Sequence, residues 1–235
     1  DHDIELMFCG TQCIHSKNGS EYRRSDFPLT HNEVVSKLER GDTVVLCGAS
    51  VMLRRELLNK YQGYREFFDR IGAEDLDWFW QMLLKYKYMN LPDFLYTYRL
   101  AINSITRKLN LNPLRYHSTQ IALLAYWQRK LNGDDVLGDK NLRAKLVEKI
   151  EAKYINDESL IYRRAAVTQL AFGQFGSYLW CIKELISHKG ISIESIKLML
   201  IWLPLFFFLY ISPKRLQRKM VENNNLSFLK EMGVD

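Results

Sequence analysis

Cys47-Gly48-Ala49-Ser50-Val51-Met52-Leu53-Arg54-Arg55 opens a run that continues through Gly63-Tyr64-Arg65-Glu66-Phe67-Phe68 and Gly72-Ala73-Glu74-Asp75-Leu76-Asp77-Trp78. It closes on Leu91-Pro92-Asp93-Phe94-Leu95-Tyr96-Thr97-Tyr98-Arg99 and Asn103-Ser104-Ile105-Thr106. The stretch from Thr43 to Leu53 is rich in Val and Leu and reads as a strand, interrupted by Gly48-Ala49-Ser50. Arg54 to Tyr61 has room for one or two helical turns before Gly63. Glu74 to Lys85 reads as a helix, and Tyr88 to Leu100 as an extended segment with Pro92 at its middle. Toward the N-terminus, Ile4 to about Ile14 patterns as a strand and Ser16-Lys17-Asn18-Gly19-Ser20 as a turn. Thr30 caps a short helix, with Glu33 three residues on and Gly41 at its end. Strands and helices alternate to about residue 106, which predicts an α/β unit. Beyond Lys108 the pattern is helical. Breaks at Asn132-Gly133-Asp134-Asp135, near Asn156-Asp157 and at His188-Lys189-Gly190 predict three helices and a fourth segment.

The composition bounds the function. The chain has 235 residues, 47% hydrophobic and 26% charged, which excludes wholesale disorder, and its 5 Pro and 12 Gly exclude a collagen-like or Pro-rich chain. Lys plus Arg is 33 against 27 acids, a net charge of +6. That excess suits phosphates or lipid headgroups. With no recognised binding motif, it argues against a nucleic-acid partner. Aromatic residues make up 13%, compatible with sugar or lipid binding and equally with an aromatic core. Four cysteines, at 9, 13, 47 and 181, form no CxxC. Cys9, Cys13 and His15 share a strand face, but no fourth metal ligand presents itself, and half-buried strand cysteines in a reducing cytosol are the expectation.

The acids at 74–77 stand where a helix begins, where carboxylates complement the macrodipole and cap free N–H groups. Glu74, Asp77 and Trp78 share a face by spacing, and Asp75 points about a hundred degrees away, toward the side of Phe79 and Met82. A carboxylate at such a junction can also serve as a general base, because its backbone is held while its tip is open. Near the C-terminus, Leu198 to Ile211 carries no charge. The run is shorter than the ~20 residues of a straight span, Pro204 kinks it, and Lys214, Arg215, Arg218 and Lys219 follow with no acid between 212 and 220. An interfacial or re-entrant segment on an anionic membrane is expected, with a core helix or a tilted span as alternatives.

In order and spacing, the pieces between Cys47 and Thr106 resemble the C-terminal half of the GT-A catalytic domain in family 2 glycosyltransferases. That family shows a Gly-(Ala/Thr)-Ser strand, a Gly-Tyr loop, a Glu-Asp pair opening a helix, and a Leu-Pro…Tyr-Arg strand ending in Ser-x-Ser/Thr. The resemblance covers about residues 3–108. It implies an α/β fold, a partial GT-A (Rossmann-like) domain, with an α-helical C-terminal extension: 1–108 as the acceptor-side half, 109–190 as helical extension, and 191–235 as an apolar, basic membrane-associating segment. It further implies an inverting transfer of sugar from a nucleotide-sugar donor to a hydroxyl of a polysaccharide or glycolipid precursor, on the cytoplasmic face of the cell membrane. Asp75 takes the role of base. Glu74 and Asp77 bind acceptor hydroxyls or orient the loop, Trp78 stacks on a sugar or packs, and Gly48, Ala49 and Ser50 line the sugar pocket. Arg99 lies near the diphosphate, with Ser104, Thr106 and Arg107 as phosphate contacts. This chain has Ala101 where the family often has a His two residues after that Arg. A divalent Mg or Mn ion is implied for the complete enzyme, with ligands outside this chain. Asp1-His2-Asp3 precedes a strand, whereas the family's metal motif follows one. The donor-binding half is therefore expected upstream and the chain alone inactive. A non-catalytic, membrane-associated helical adaptor is the alternative reading.

Overall fold

The structure is a computed structural model and describes residues 6–17, 19–61, 63–101, 104, 107–200 and 214–234. Asp1-His2-Asp3, Thr106 and most of the apolar run lie outside these residues. The fold is mixed α/β with a four-stranded mixed sheet. Its centre is β1 (Leu6–Lys17), which pairs antiparallel with β2 (Ser20–Arg24) and β3 (Met52–Leu53) and parallel with β4 (Lys87–Arg99). The β1–β2 turn places Gly19 at φ +81°, a left-handed conformation in which glycine avoids a Cβ clash. Between Thr11 and Gln12 the parallel register jumps from Leu91 to Phe94, so Pro92 and Asp93 have no partner in β1. Proline lacks the ladder donor, and the bulge absorbs it. The Thr11 hydroxyl repairs the gap by donating to Asp93 O and accepting from Leu95 N–H at 3.4 Å.

The strand expected over Thr43–Leu53 is a correction. Only Met52–Leu53 pairs, and Gly48–Ser50 forms a single 3-10 turn. The apolar pattern there reflects burial rather than pairing, since Val45 and Leu46 are core residues. Their backbone is satisfied by side chains. Asn90 Nδ2 donates to Val45 O (3.0 Å) and Pro28 O (2.7 Å), and Asp42 Oδ1 accepts from Val44 N–H (3.1 Å). A buried amide that satisfies two carbonyls removes the need for a neighbouring strand.

Helix α1 (His31–Glu39) begins as its sequence announces. Thr30 accepts from Glu33 N–H, Glu33 returns to Thr30 N–H, and Gly41 follows at φ +85°. Next come α2 (Arg55–Lys60) and α3 (Glu74–Leu83), which buries Trp78, Phe79, Trp80, Met82 and Leu83. Then follow α4 (Pro113–Asn132), α5 (Lys140–Asn156), α6 (Ser159–Ala171), α7 (Phe175–Lys189), α8 (Ile193–Leu200) and α9 (Lys214–Glu231). The helical region is cut once more than expected, at Gly173 with φ +71°.

The chain forms two compact units, each of more than one segment. One comprises 1–102, 118–138 and 221–235, the other 103–117 and 139–220. In the first, Leu38, Leu57, Phe68, Trp80, Met82 and Tyr88 are fully buried, each contributing ~1.5–3 kcal/mol. Asn225 of α9 joins it by donating to Gly41 O at 2.8 Å. In the second, α6 and α7 pack through Ala165, Ala166, Leu170, Tyr178, Cys181, Ile182 and Leu185, with Leu198 of α8. No helix among the described residues is long and apolar enough to cross a membrane.

Candidate active site

Three left-handed residues lead into α3: Arg70 (φ 61°), Gly72 (φ 88°) and Ala73 (φ 70°). Two of them carry a Cβ, so the turn holds local strain of roughly 1–2 kcal/mol per residue. Phe68 O anchors it by accepting from Ile71 N–H (3.1 Å) and Gly72 N–H (3.2 Å). Ala73 is the N-cap and supplies no capping side chain. The acids of the first turn therefore take that place, and Asp75 Oδ1 accepts from Leu76 N–H at 2.8 Å.

The other carboxylate oxygen of Asp75 lies against Gly48. A Cβ added at Gly48 would stand 2.1 Å from Asp75 Oδ2, 3.0 Å from its Cγ and 3.1 Å from its Cβ. Gly48 begins the 3-10 turn whose Ser50 Oγ donates to Cys47 O (2.9 Å) and accepts from Thr11 N–H (3.4 Å). The sheet thus holds the small-residue turn, the strained loop holds α3, and the two bring Asp75 and Gly48 into contact. Burial raises the proton affinity of Asp75 above the usual 3.8, opposed by the Leu76 N–H and reinforced by the charge of Glu74. A half-buried carboxylate with raised affinity, its backbone held at a helix start, is equipped to take a proton.

Asp77 and Trp78 differ from Asp75. Asp77 is 1% exposed and receives Arg65 Nε at 3.0 Å together with Arg129 Nη2. Asp135 closes the cluster, accepting from Arg65 Nη1 (2.7 Å), Arg65 Nη2 (2.6 Å) and Arg129 Nε (2.5 Å). Burial works against the charge of Asp135, but the two guanidiniums outweigh it and hold the carboxyl at about 2. With one oxygen taken by each guanidinium, Asp77 is not open to the acceptor hydroxyl expected for it. Trp78 is 6% exposed, so its ring faces are packed rather than offered to a sugar. Its edge partner Tyr64, at 5.5 Å and 87°, is 55% exposed. Burial and the charges of Asp75 and Glu74 raise the proton affinity of the Tyr64 hydroxyl, which keeps it a donor beside both acids.

Tyr64 and the Arg65–Asp77–Arg129–Asp135 cluster were not singled out from sequence. Tyr64-Arg65 stood inside the quoted run, but Arg129 and Asp135 lie more than fifty residues from Asp77, and pattern gives no such pairing. Glu74 is half-buried, Ala49 is exposed, and Ser50 is engaged with backbone. Arg99 is exposed at the end of β4, opposite Ser16 in register. Ser104 O accepts from Arg107 N–H at 3.0 Å, and the Arg107 guanidinium stands 5.8 Å over the Phe172 ring. Thr106 lies outside the described residues. Among them no group of three His, Cys, Asp or Glu side chains can hold a metal ion. The ligands of the divalent ion that the resemblance implies are expected outside this chain. No family model matches the chain, and no curated protein or solved structure matches it either.

Proposed function

We propose that this chain carries the acceptor and base part of an inverting glycosyltransferase of the GT-A, family 2 type, with Asp75 as the base. The observation that carries this reading is the Asp75 carboxylate, half-buried at the start of α3, set against Gly48 and shifted toward higher proton affinity. Its chemistry is proton removal. As an acceptor hydroxyl oxygen attacks the anomeric carbon, its proton passes to Asp75. The new C–O bond forms on one face while the bond to the nucleoside diphosphate breaks on the other, and the leaving group departs with the electron pair. Tyr64 donates to the acceptor beside the base, and Gly48, lacking a Cβ, leaves the room that the Asp75 carboxylate occupies. A strained, pinned loop before Glu74-Asp75 supports this reading, because a base must be held in place to act.

The same reading puts the protein peripherally on the inner face of the cell membrane. Its support is the exposed Ile193, Ile196 and Met199 of α8, which lead toward the uncharged run and the basic residues after it.

The test is turnover in an enzyme that holds this chain together with a donor-binding half. Asp75→Asn is expected to lower transfer ~10²–10⁴-fold with the fold intact. The unmodified enzyme should lose activity toward acid through a pKa above the ordinary carboxylate value, and the variant should lack that limb. Near-normal turnover in folded Asp75→Asn would refute the assignment.

A further inference from the structure

Beyond Asp75, on the same unit, two cavities adjoin along α3. One, of about 500 Å³, is lined by Lys60, Tyr61, Arg65, Gln81, Lys85 and Tyr86 among others. The other, of about 520 Å³, shares Tyr61, Gln81 and Lys85 with it and continues to Glu39, Tyr126 and Lys130. The shared lining makes one groove. Gln81 lies six residues after Asp75, about 9 Å along the helix axis.

We propose that this groove binds a carboxylate-bearing saccharide, an anionic stretch of the acceptor glycan, through Lys60 and Lys85. Arg65 and Arg129 at the groove floor are neutralised by Asp77 and Asp135. Lys130 is paired with Glu39. Lys60 and Lys85 make no ion pair among the described residues, so the groove's uncompensated charge sits on them. Lys60 is held in place: its Nζ donates to the Tyr86 hydroxyl at 3.2 Å and stands 5.5 Å from that ring's centroid. Tyr61 packs against Tyr86 at 6.2 Å and 82°, fixing both hydroxyls in the groove.

The remaining lining suits a saccharide. Two tyrosine hydroxyls and the Gln81 amide supply donors and acceptors matched to sugar hydroxyls. Glu39 accepts from Tyr126 at 3.3 Å and is paired with Lys130, so that end of the groove is neutral and offers nothing to a phosphodiester backbone charged at every unit. A glycan with sparse carboxylates can set neutral hydroxyls against the Glu39–Lys130 pair and its carboxylates against Lys60 and Lys85. The saccharide class rests on the proposed function, whereas the sign of the charge rests on the groove.

The experiment is calorimetric titration of the unmodified chain with a hexasaccharide containing alternating uronic acids, with a neutral hexasaccharide of equal length, and with a single-stranded oligonucleotide. The acidic hexasaccharide should bind, and should weaken as salt rises. Lys60→Gln and Lys85→Gln, both at exposed positions, should each weaken it about tenfold, the loss of one charge-assisted contact, with unchanged melting. Equal affinity for the neutral hexasaccharide, no effect of either substitution, or no binding of the acidic hexasaccharide overturns the proposal. Tighter, lysine-dependent binding of the oligonucleotide overturns it in favour of a nucleic-acid groove. No outcome depends on turnover, so failure here is separate from failure of Asp75 as base.

Discussion

Gly48 and Asp75 are the residue pair on which the proposed chemistry turns, and their contact makes a specific prediction. The φ of Gly48 is not in the left-handed region, so its glycine is required by space rather than by backbone conformation. In Gly48→Ala the new methyl would meet the Asp75 carboxylate at 2.1 Å. Asp75 Cγ and Cβ would also stand at 3.0 and 3.1 Å, so the side chain swings away and strains its Oδ1 contact with Leu76 N–H, at a modest cost in stability. Displacing a catalytic group by about 1 Å can cost ~10²-fold. The expected outcome is a loss of transfer of that order with only a modest fall in melting temperature, read by parallel kinetics and thermal denaturation. Sequence marked both residues but not their contact. It also assigned Trp78 to a sugar or to packing without deciding, because helical spacing states which residues share a face and not which face the core takes.

At the scale of elements, α3 is tied to α4 and the loop after it by Asp77, Arg129, Asp135 and Arg65. Removing one member strands the opposite charge in a buried place. Arg129→Met is expected to cost about 3–5 kcal/mol, measured by urea denaturation. Asp135 and Asp77 shift in opposite directions, since burial raises the proton affinity of Asp77 despite its two arginines, and the sign for Asp135 is definite. Asp135 has a folded pKa of about 2, below its unfolded value, so its stabilisation is complete above the unfolded pKa and is lost as pH falls toward about 2. Between those limits the unmodified protein should lose stability more steeply than Arg129→Met. A parallel decline in both would show that the Asp135 pairing with Arg129 contributes little. The elements themselves were unequally legible. The Thr30–Glu33 capping box, α2, α3 and β4 stand close to where local chemistry puts them. Thr43–Leu53 misleads because a buried irregular segment and a buried strand share the same apolar composition, and only the Asn90 side chain distinguishes them.

For the whole molecule, the strongest expectation concerns membrane attachment. Lys214, Arg215, Arg218 and Lys219 follow the uncharged run, and each basic residue near an anionic surface adds ~1 kcal/mol. Replacing all four by Gln should weaken binding to anionic vesicles more than to neutral ones, and high salt should act on the unmodified protein in the same direction. Vesicle co-sedimentation at two salt concentrations reads both effects. Equal binding of both forms to both vesicle types would remove the electrostatic contribution. Resistance to alkaline carbonate extraction would assign the run to a span.

By itself, the sequence determined what depends on near neighbours: the α/β character before residue 106, the helical character after it, the capped start of α1, and the acids at the head of α3. These follow from hydrophobic period and local hydrogen bonding, which act over a few residues. Tertiary structure decided the rest. It split α6 from α7, shortened β3 to two residues, seated Asp75 against Gly48, turned Asp77 inward onto two arginines and left Tyr64 exposed beside the acids. Each of these joins groups remote along the chain, and their placement depends on which face each element buries and which partner satisfies each buried charge.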